Sequence, residues 1–261
     1  MIDIGANLTN SVFTDDMDEV LKRAKRDGVQ HVVVTGTNVR ESLLAIDLAE
    51  KYASYLSVTV GVHPHDADDV GPGWLDTIEG LTSSPHVVAV GEMGLDFYRN
   101  YSGHDAQRGV FEAQLDLAAR VGLPVFVHDR DTDGEVLKVL RKYTPTKCVV
   151  HCFTGNSEEL DGFIEEGFYI GITGWICDER RGEGLRRIVD RIPIERLLVE
   201  TDAPYLLPPT KAKLMGTRRN EPAFLNFVIS ELARCRRCPE SLIREASVEN
   251  ACRFFDIELP T

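Results

Sequence analysis

Residues 124–128 read PVFVH and residues 147–151 read KCVVH, two short apolar runs that each close on a histidine. VVAVGE at 87–92 and RLLVETD at 196–202 have the same build and close on carboxylates. All four are short and rich in valine, which favours strand over helix. None alternates strictly between apolar and polar, and a continuous apolar strand is one buried on both faces, as in a parallel sheet covered by helices.

Outward from these runs the same grammar repeats. Strands are expected at Ile2–Gly5, Val29–Thr35, Leu56–Val62, Val87–Glu92, Pro124–His128, Lys147–His151, Tyr169–Thr173 and Arg196–Thr201. Amphipathic stretches lie between them at Asp15–Asp27, Arg40–Tyr52, Asp105–Val121, Asp133–Lys142 and Ser157–Glu166. Strict alternation implies a parallel sheet, because each crossover returns the chain to the same end. Eight such units in 261 residues fit a closed α/β barrel, a (β/α)8 TIM barrel, better than an open sheet. Helix punctuation agrees: Asn156 and Ser157 precede Glu158 and Glu159, and Gly122 and Gly167 fall where helices should stop. Asn220–Phe255 reads as closing helices. With no repeat or linker, residues 1–261 read as a single barrel domain.

Composition sets the bounds. The chain is 43% hydrophobic and 27% charged, ordinary for a globular protein. No run approaches the roughly 20 apolar residues a membrane span needs. MIDIGANLTN has no basic start and apolar core of a signal peptide, so a cytoplasmic protein is expected, with no membrane partner. The six cysteines, among them a lone CxxC at Cys235 and Cys238, read as reduced thiols rather than a disulfide framework or a zinc site. The net charge of −13 argues against a broad electrostatic grip on nucleic acid, and leaves room for a local grip on a few phosphates.

The chemistry gathers after the strands. Glu92, His128, His151 and the Glu200-Thr201-Asp202 run each follow a strand, and LSVTVGVHPH delivers His63 and His65. In a parallel barrel all of these converge on one mouth. Any one alone reads as a helix cap or a hydrogen-bonded structural residue. Together, several carboxylates and imidazoles in one cleft need a cation or a hydrogen-bond network to offset their burial. A divalent metal is the simplest solution, and two imidazoles with two carboxylates and no thiolate suit Mg²⁺, Mn²⁺ or Zn²⁺. Strand alternation would turn Cys152, next to His151, to the other face.

The motifs DIGANLT, GVHPH, GEMGLDFYR, PVFVHDRD, VVHCFTG, GITGW, ETDAPYLLP and RRNEP, in this order from Asp3 to about Asn250, resemble the TatD family of metal-dependent deoxyribonucleases. The resemblance implies an amidohydrolase-type barrel and Mg²⁺-dependent hydrolysis of DNA, 3′ to 5′, from single strands. It implies metal ligation by Glu92, His128 and His151, Asp202 as ligand or general base, and His63 near the scissile phosphate. One departure stands out. Many relatives carry an HxH pair on the first strand, where this chain has Gly5 and Asn7. That leaves a thinner ligand set, suited to a weakly held hard cation, and activity that depends on added metal.

In the mechanism expected, Asp202 orients or deprotonates the attacking water, and His63 contacts a phosphate oxygen or donates to the leaving group. Glu200 has the same strand parity as Asp202. His65, Arg218, Arg219, Asn220 and Glu221 are the expected substrate contacts, within a basic strip that includes Arg180, Arg181, Lys211 and Lys213. Phe97, Tyr98, Tyr101 and Trp175 offer faces on which unpaired bases could stack. A monomer is expected. Two rivals remain open at this level: a metal-dependent hydrolase of another substrate (an aminoacyl-tRNA ester, an amide or a lactone), and a binding protein that has lost its metal chemistry.

Overall fold

In the computed structural model, which describes residues 1–259, eight parallel strands pair in sequence order, β1 to β8. They are β1 (Ile2–Ala6), β2 (His31–Val34), β3 (Leu56–Val60), β4 (Val87–Asp96), β5 (Val125–Arg130), β6 (Cys148–Val150), β7 (Tyr169–Ile172) and β8 (Leu197–Val199). The barrel closes just past β8, where Asp202 N–H donates to Gly5 O at 2.8 Å and Asn7 N–H to Ala203 O at 2.7 Å. The helices are α1 (Met17–Arg26), α2 (Val39–Lys51), α3 (Trp74–Leu81), α4 (His104–Val121), α5 (Glu135–Tyr143), α6 (Ser157–Glu165), α7 (Glu183–Ile188), α8 (Pro209–Met215), α9 (Leu225–Arg236) and α10 (Glu240–Phe255).

All eight expected strands form, and the five expected helices appear as α1, α2, α4, α5 and α6. Asn156 closes a full capping box with Glu159 at the start of α6, and Gly122 ends α4 at φ +74°. The reading passed over α3, α7 and α8, which are short and carry few buried residues. The α3 sequence WLDTIEGL buries only Ile78 completely, so its apolar face is too narrow to stand out as a period. Among the described residues no helix is long and apolar enough to cross a membrane.

Side-chain alternation divides the core. Val33, Ala89, Phe126, Val149, Tyr169 and Leu198 fill the barrel interior, while their strand neighbours Val32, Val34, Val90, Val125, Val127, Val150 and Val199 pack outward beneath the helices. Phe254, Phe255 and Ile257, at and just past the end of α10, join the interior cluster. Lys147, immediately before β6, donates to the carbonyls of Arg253 and Phe254 at 2.8 and 3.2 Å. The end of α10 therefore plugs the barrel at the N-terminal ends of its strands, opposite the mouth.

His31 on β2 is buried and neutral. Its Nε2 lies 2.8 Å from Ser57 Oγ, and burial pushes its pKa down to about 4. A depressed histidine contributes stability that is complete above its unfolded value near 6.5 and is lost as pH falls toward 4. Asp3, pushed up to about 7 by burial, gives a slope of opposite sign, so only a variant comparison isolates His31. Denaturant titrations at pH 7 and pH 4.5 should show wild type losing about 2–3 kcal/mol more than His31→Gln. Equal losses would mean that His31 is not held neutral.

Candidate active site

Parity places the site. His128 continues the inward face of Phe126, His151 that of Val149, and Glu200 that of Leu198. Glu92 does not follow the rule: Ala89 points inward and Val90 outward, so unbroken alternation would turn Glu92 away from the mouth. The β3–β4 and β4–β5 pairings are both irregular, the latter between Val90 and Met93. Gly91 takes up the irregularity at φ +145°, with no room for a Cβ, which would lie 2.4 Å from Phe126 O. That slip brings the carboxylate inside.

Glu92 Oε1 is ringed by imidazole nitrogens: His151 Nε2 at 2.7 Å, His128 Nδ1 at 2.9 Å and His63 Nε2 at 3.1 Å. His128 Nδ1 and His151 Nε2 stand 3.3 Å apart. Behind each of these two rings stands a second carboxylate. Glu200 Oε2 lies 3.3 Å from His151 Nδ1, and Asp96 Oδ2 lies 3.5 Å from His128 Nε2. A carboxylate behind an imidazole fixes its tautomer and turns the opposite lone pair toward the site, the arrangement found behind metal-binding histidines. His128 Nε2 is the one buried side-chain polar atom without a hydrogen-bond partner among the described residues.

His63 is oriented the other way. Its Nδ1 accepts from the His65 backbone N–H at 3.0 Å, so the neutral ring carries its proton on Nε2, toward Glu92. Ligand-type atoms of His63, Glu92 and His128 all lie within 4.8 Å of one another. His128 Nδ1 and His151 Nε2 face the same Glu92 oxygen, so a cation at this point would take the place of the protons that these imidazoles turn toward the carboxylate. Burial holds the His63 pKa down at about 4, which keeps the ring neutral.

The charges are strongly coupled. Burial alone would raise the Glu92 carboxyl, but His151 and His63 outweigh it and hold Glu92 well below the ordinary carboxylate range. Burial opposes charge on His151, yet Glu92 and Glu200 raise its pKa well above the usual histidine value. Asp202 is pushed up to about 8, by burial first and then by Glu92 and Glu200. Its Oδ1 accepts from Asn7 Nδ2 at 2.9 Å. Its backbone lies in the left-handed region at φ +55°, as does that of Cys152 at +46°, both just past strand ends.

The residues fit a divalent cation. Glu92, His128 and His151 converge on one point, and a cation there would replace the protons directed at Glu92 Oε1 and relieve the crowding of the Glu92, Glu200 and Asp202 carboxylates. Cys152 corrects an expectation. It leaves strand geometry and stays close enough for Asp202 and Glu200 to help burial hold its thiol pKa well above the ordinary value. Its Sγ meets Thr173 Oγ1 at 3.5 Å and its N–H binds Glu200 Oε1.

The expected substrate contacts divide. His65 pairs with Asp96 Oδ2 at 2.6 Å and edges onto Tyr101 at the rim. Arg218 is exposed beside Lys213, with no carboxylate partner among the described residues. The run from Arg219 to Glu221 is engaged in contacts within the fold. Arg219 pairs with Asp16 at 2.7 Å, Asn220 Nδ2 donates to Thr201 O and Tyr205 O, and buried Glu221 takes both ends of the Arg23 guanidinium at 2.8 and 2.7 Å. Arg181, likewise, is held by Asp178.

A family model described as TatD related DNase matches residues 2–256. The chain belongs to the TatD family. It is 47% identical over 257 residues to a protein from Edwardsiella piscicida named 3′-5′ ssDNA/RNA exonuclease TatD, covering 98% of this chain and 99% of that one. A protein of the same name from Erwinia billingiae is 48% identical, with 98% of each chain covered. Among solved structures, a TatD homolog from Escherichia coli K12 superposes with a TM-score of 0.90 at 29% identity, over 99% of this chain and 98% of that one. A hydrolase TatD family protein from Entamoeba histolytica gives 0.89 at 28%, over 98% and 97%.

Within this TatD-family barrel, Gly5 and Asn7, the positions at which the resemblance led us to expect an HxH pair, have other tasks. A Cβ at Gly5 would come 2.4 Å from Glu200 Oε2 and 3.2 Å from Phe126 Cζ, so Glu200 occupies that space. Asn7 instead tethers Asp202. Restoring the pair by Gly5→His with Asn7→His should therefore not create a tight zinc pair. It should lower the melting temperature by roughly 5 °C or more through overpacking, without raising zinc stoichiometry above wild type. Two zinc ions per chain in a stable double variant would show that Glu200 yields freely.

Proposed function

We propose that this chain is a Mg²⁺-dependent nuclease that removes nucleotides from the 3′ ends of single-stranded DNA. The observation that carries the reading is the set of imidazole nitrogens around Glu92 Oε1, with His128 and His151 each backed by a carboxylate. The names of the relatives supply substrate and polarity.

Glu92, His128 and His151 would hold the cation, which when bound supplies an acidified water and neutralises charge on the phosphoryl oxygens. Asp202 takes the proton from the attacking water. Asn7 holds its acceptor carboxylate in place. His63 Nε2–H, at the edge of this group, would donate to a non-bridging phosphate oxygen or to the leaving oxygen. Asp96 and Glu200 hold the two ligand rings and do not touch substrate. Cytoplasmic location and a monomeric state belong to the same reading.

The test is digestion of 5′-labelled single-stranded DNA and RNA, and of duplex DNA, with EDTA, Mg²⁺, Mn²⁺ or Zn²⁺. A ladder shortening from the 3′ end of the single strands, strongest with Mg²⁺ and absent in EDTA, is expected. Intact oligonucleotides under every metal would overturn the nuclease reading. Turnover of amides, lactones or aminoacyl-tRNA by the same protein would then replace it.

A further inference from the structure

Three βα loops meet above β5 in a layered stack of aromatic and cationic side chains. The Arg130 guanidinium carbon lies 4.7 Å from the Tyr98 ring centroid and 4.9 Å from that of Trp175. The Arg181 guanidinium carbon lies 4.3 Å from the Trp175 centroid, and Asp178 fixes that arginine at 2.9 Å. Tyr98 follows β4, Arg130 ends β5 and Trp175 sits in the turn Gly174–Cys177 after β7. Thr173 Oγ1 accepts from the Trp175 N–H at 3.2 Å and sets that turn.

Position and chemistry both mark Arg130. It lies two residues beyond His128 on the same strand, hence on the same side and roughly 7 Å nearer the mouth. It is half-buried, yet among the described residues its side chain has neither a carboxylate partner nor a hydrogen bond. Arg219, Arg23 and Arg181 near the same mouth are all ion-paired. A guanidinium whose face is covered by rings keeps its N–H edge free for a planar or tetrahedral anion. Tyr98 is 57% exposed, so an aromatic face beside that edge stays open to solvent.

We infer that Tyr98, Arg130 and Trp175 form a subsite for single-stranded nucleic acid beside the scissile position. Arg130 takes the neighbouring backbone phosphate, the open face of Tyr98 takes an unpaired base, and Trp175, layered between Arg130 and Arg181, holds Arg130 in place. Every base has a face to stack, so the subsite admits any sequence and favours a strand free of its complement. The inference rests on the nuclease reading. The plain competitor is a packing rivet that holds the β4, β5 and β7 loops together.

Steady-state cleavage of a single-stranded oligonucleotide and of a small aryl nucleotide phosphodiester, over a range of KCl, separates the two. For Arg130→Gln, the ratio of kcat/KM on the oligonucleotide to that on the diester should fall at least about tenfold, mainly through KM. The slope of log kcat/KM against log salt should become shallower by about 0.7, the share of one phosphate on a single strand. Trp175→Phe should keep more of the ratio than Trp175→Ala, and should Trp175→Ala fail to fold, the Phe variant against wild type serves the same purpose. Equal losses on both substrates, or an unchanged salt slope, would overturn the subsite in favour of the rivet. Wild-type protein that cleaves the diester and no oligonucleotide would overturn the nuclease reading, and the subsite with it.

Discussion

Glu92→Gln should leave a folded protein without activity. The carboxylate is the one group met by His63, His128 and His151 together, at 3.1, 2.9 and 2.7 Å. An amide keeps the shape but removes the charge and one of the acceptor oxygens. Loss of an outer partner of a metal ligand costs roughly 10–100-fold, and loss of the anionic ligand should exceed that, on the order of 10³-fold or more in kcat/KM. Calorimetric titration with Mg²⁺ or Mn²⁺ should show cation binding weakened in parallel. Activity within tenfold of wild type would remove Glu92 from the site, and the cation reading with it.

Asp202→Asn should cost activity differently. Asp202 is tethered by Asn7, so as a base it should carry about 10²–10⁴-fold of kcat while cation affinity changes little. If the variant binds Mn²⁺ as weakly as Glu92→Gln does, Asp202 is a ligand rather than a base. The amide variant must also hold φ +55°, a conformation that asparagine tolerates well, so backbone strain should not confuse the result. Both variants should be measured beside far-UV spectra and melting curves.

Much of this was legible in the sequence because barrel strands carry their chemistry at their C-terminal ends. His128, His151 and Glu200 follow from parity alone: each lies two residues past an inward Phe126, Val149 or Leu198. Glu92 was found by its place after a strand, but parity would have turned it outward; the slip at Gly91 is a three-dimensional fact that the string VVAVGE does not announce. Asp96 was missed because β4 continues past Glu92, paired as far as Asp96 with Arg130, where the reading ended the strand. The folding contacts of Arg219 and Glu221 were not legible for a different reason. Their partners, Asp16 and Arg23, lie about 200 positions away, and no local pattern reports them. Asn7 and Gly5 were noticed as substitutions, but their tasks became visible only with Asp202 and Glu200 beside them.

The plug at the floor of the barrel sets an order in time. Phe254, Phe255 and Ile257 fill the space beneath the strands, and they come more than fifty residues after β8 ends at Val199. Ribosomal synthesis adds about 5–20 residues per second, so all eight strands are out for several seconds before the stopper exists. During that interval the lower ends of the strands, lined by Phe126, Val149 and Leu198, stay open to water and to neighbouring chains. A chaperone that shields the chain during that interval would have to cover the face furthest from the mouth.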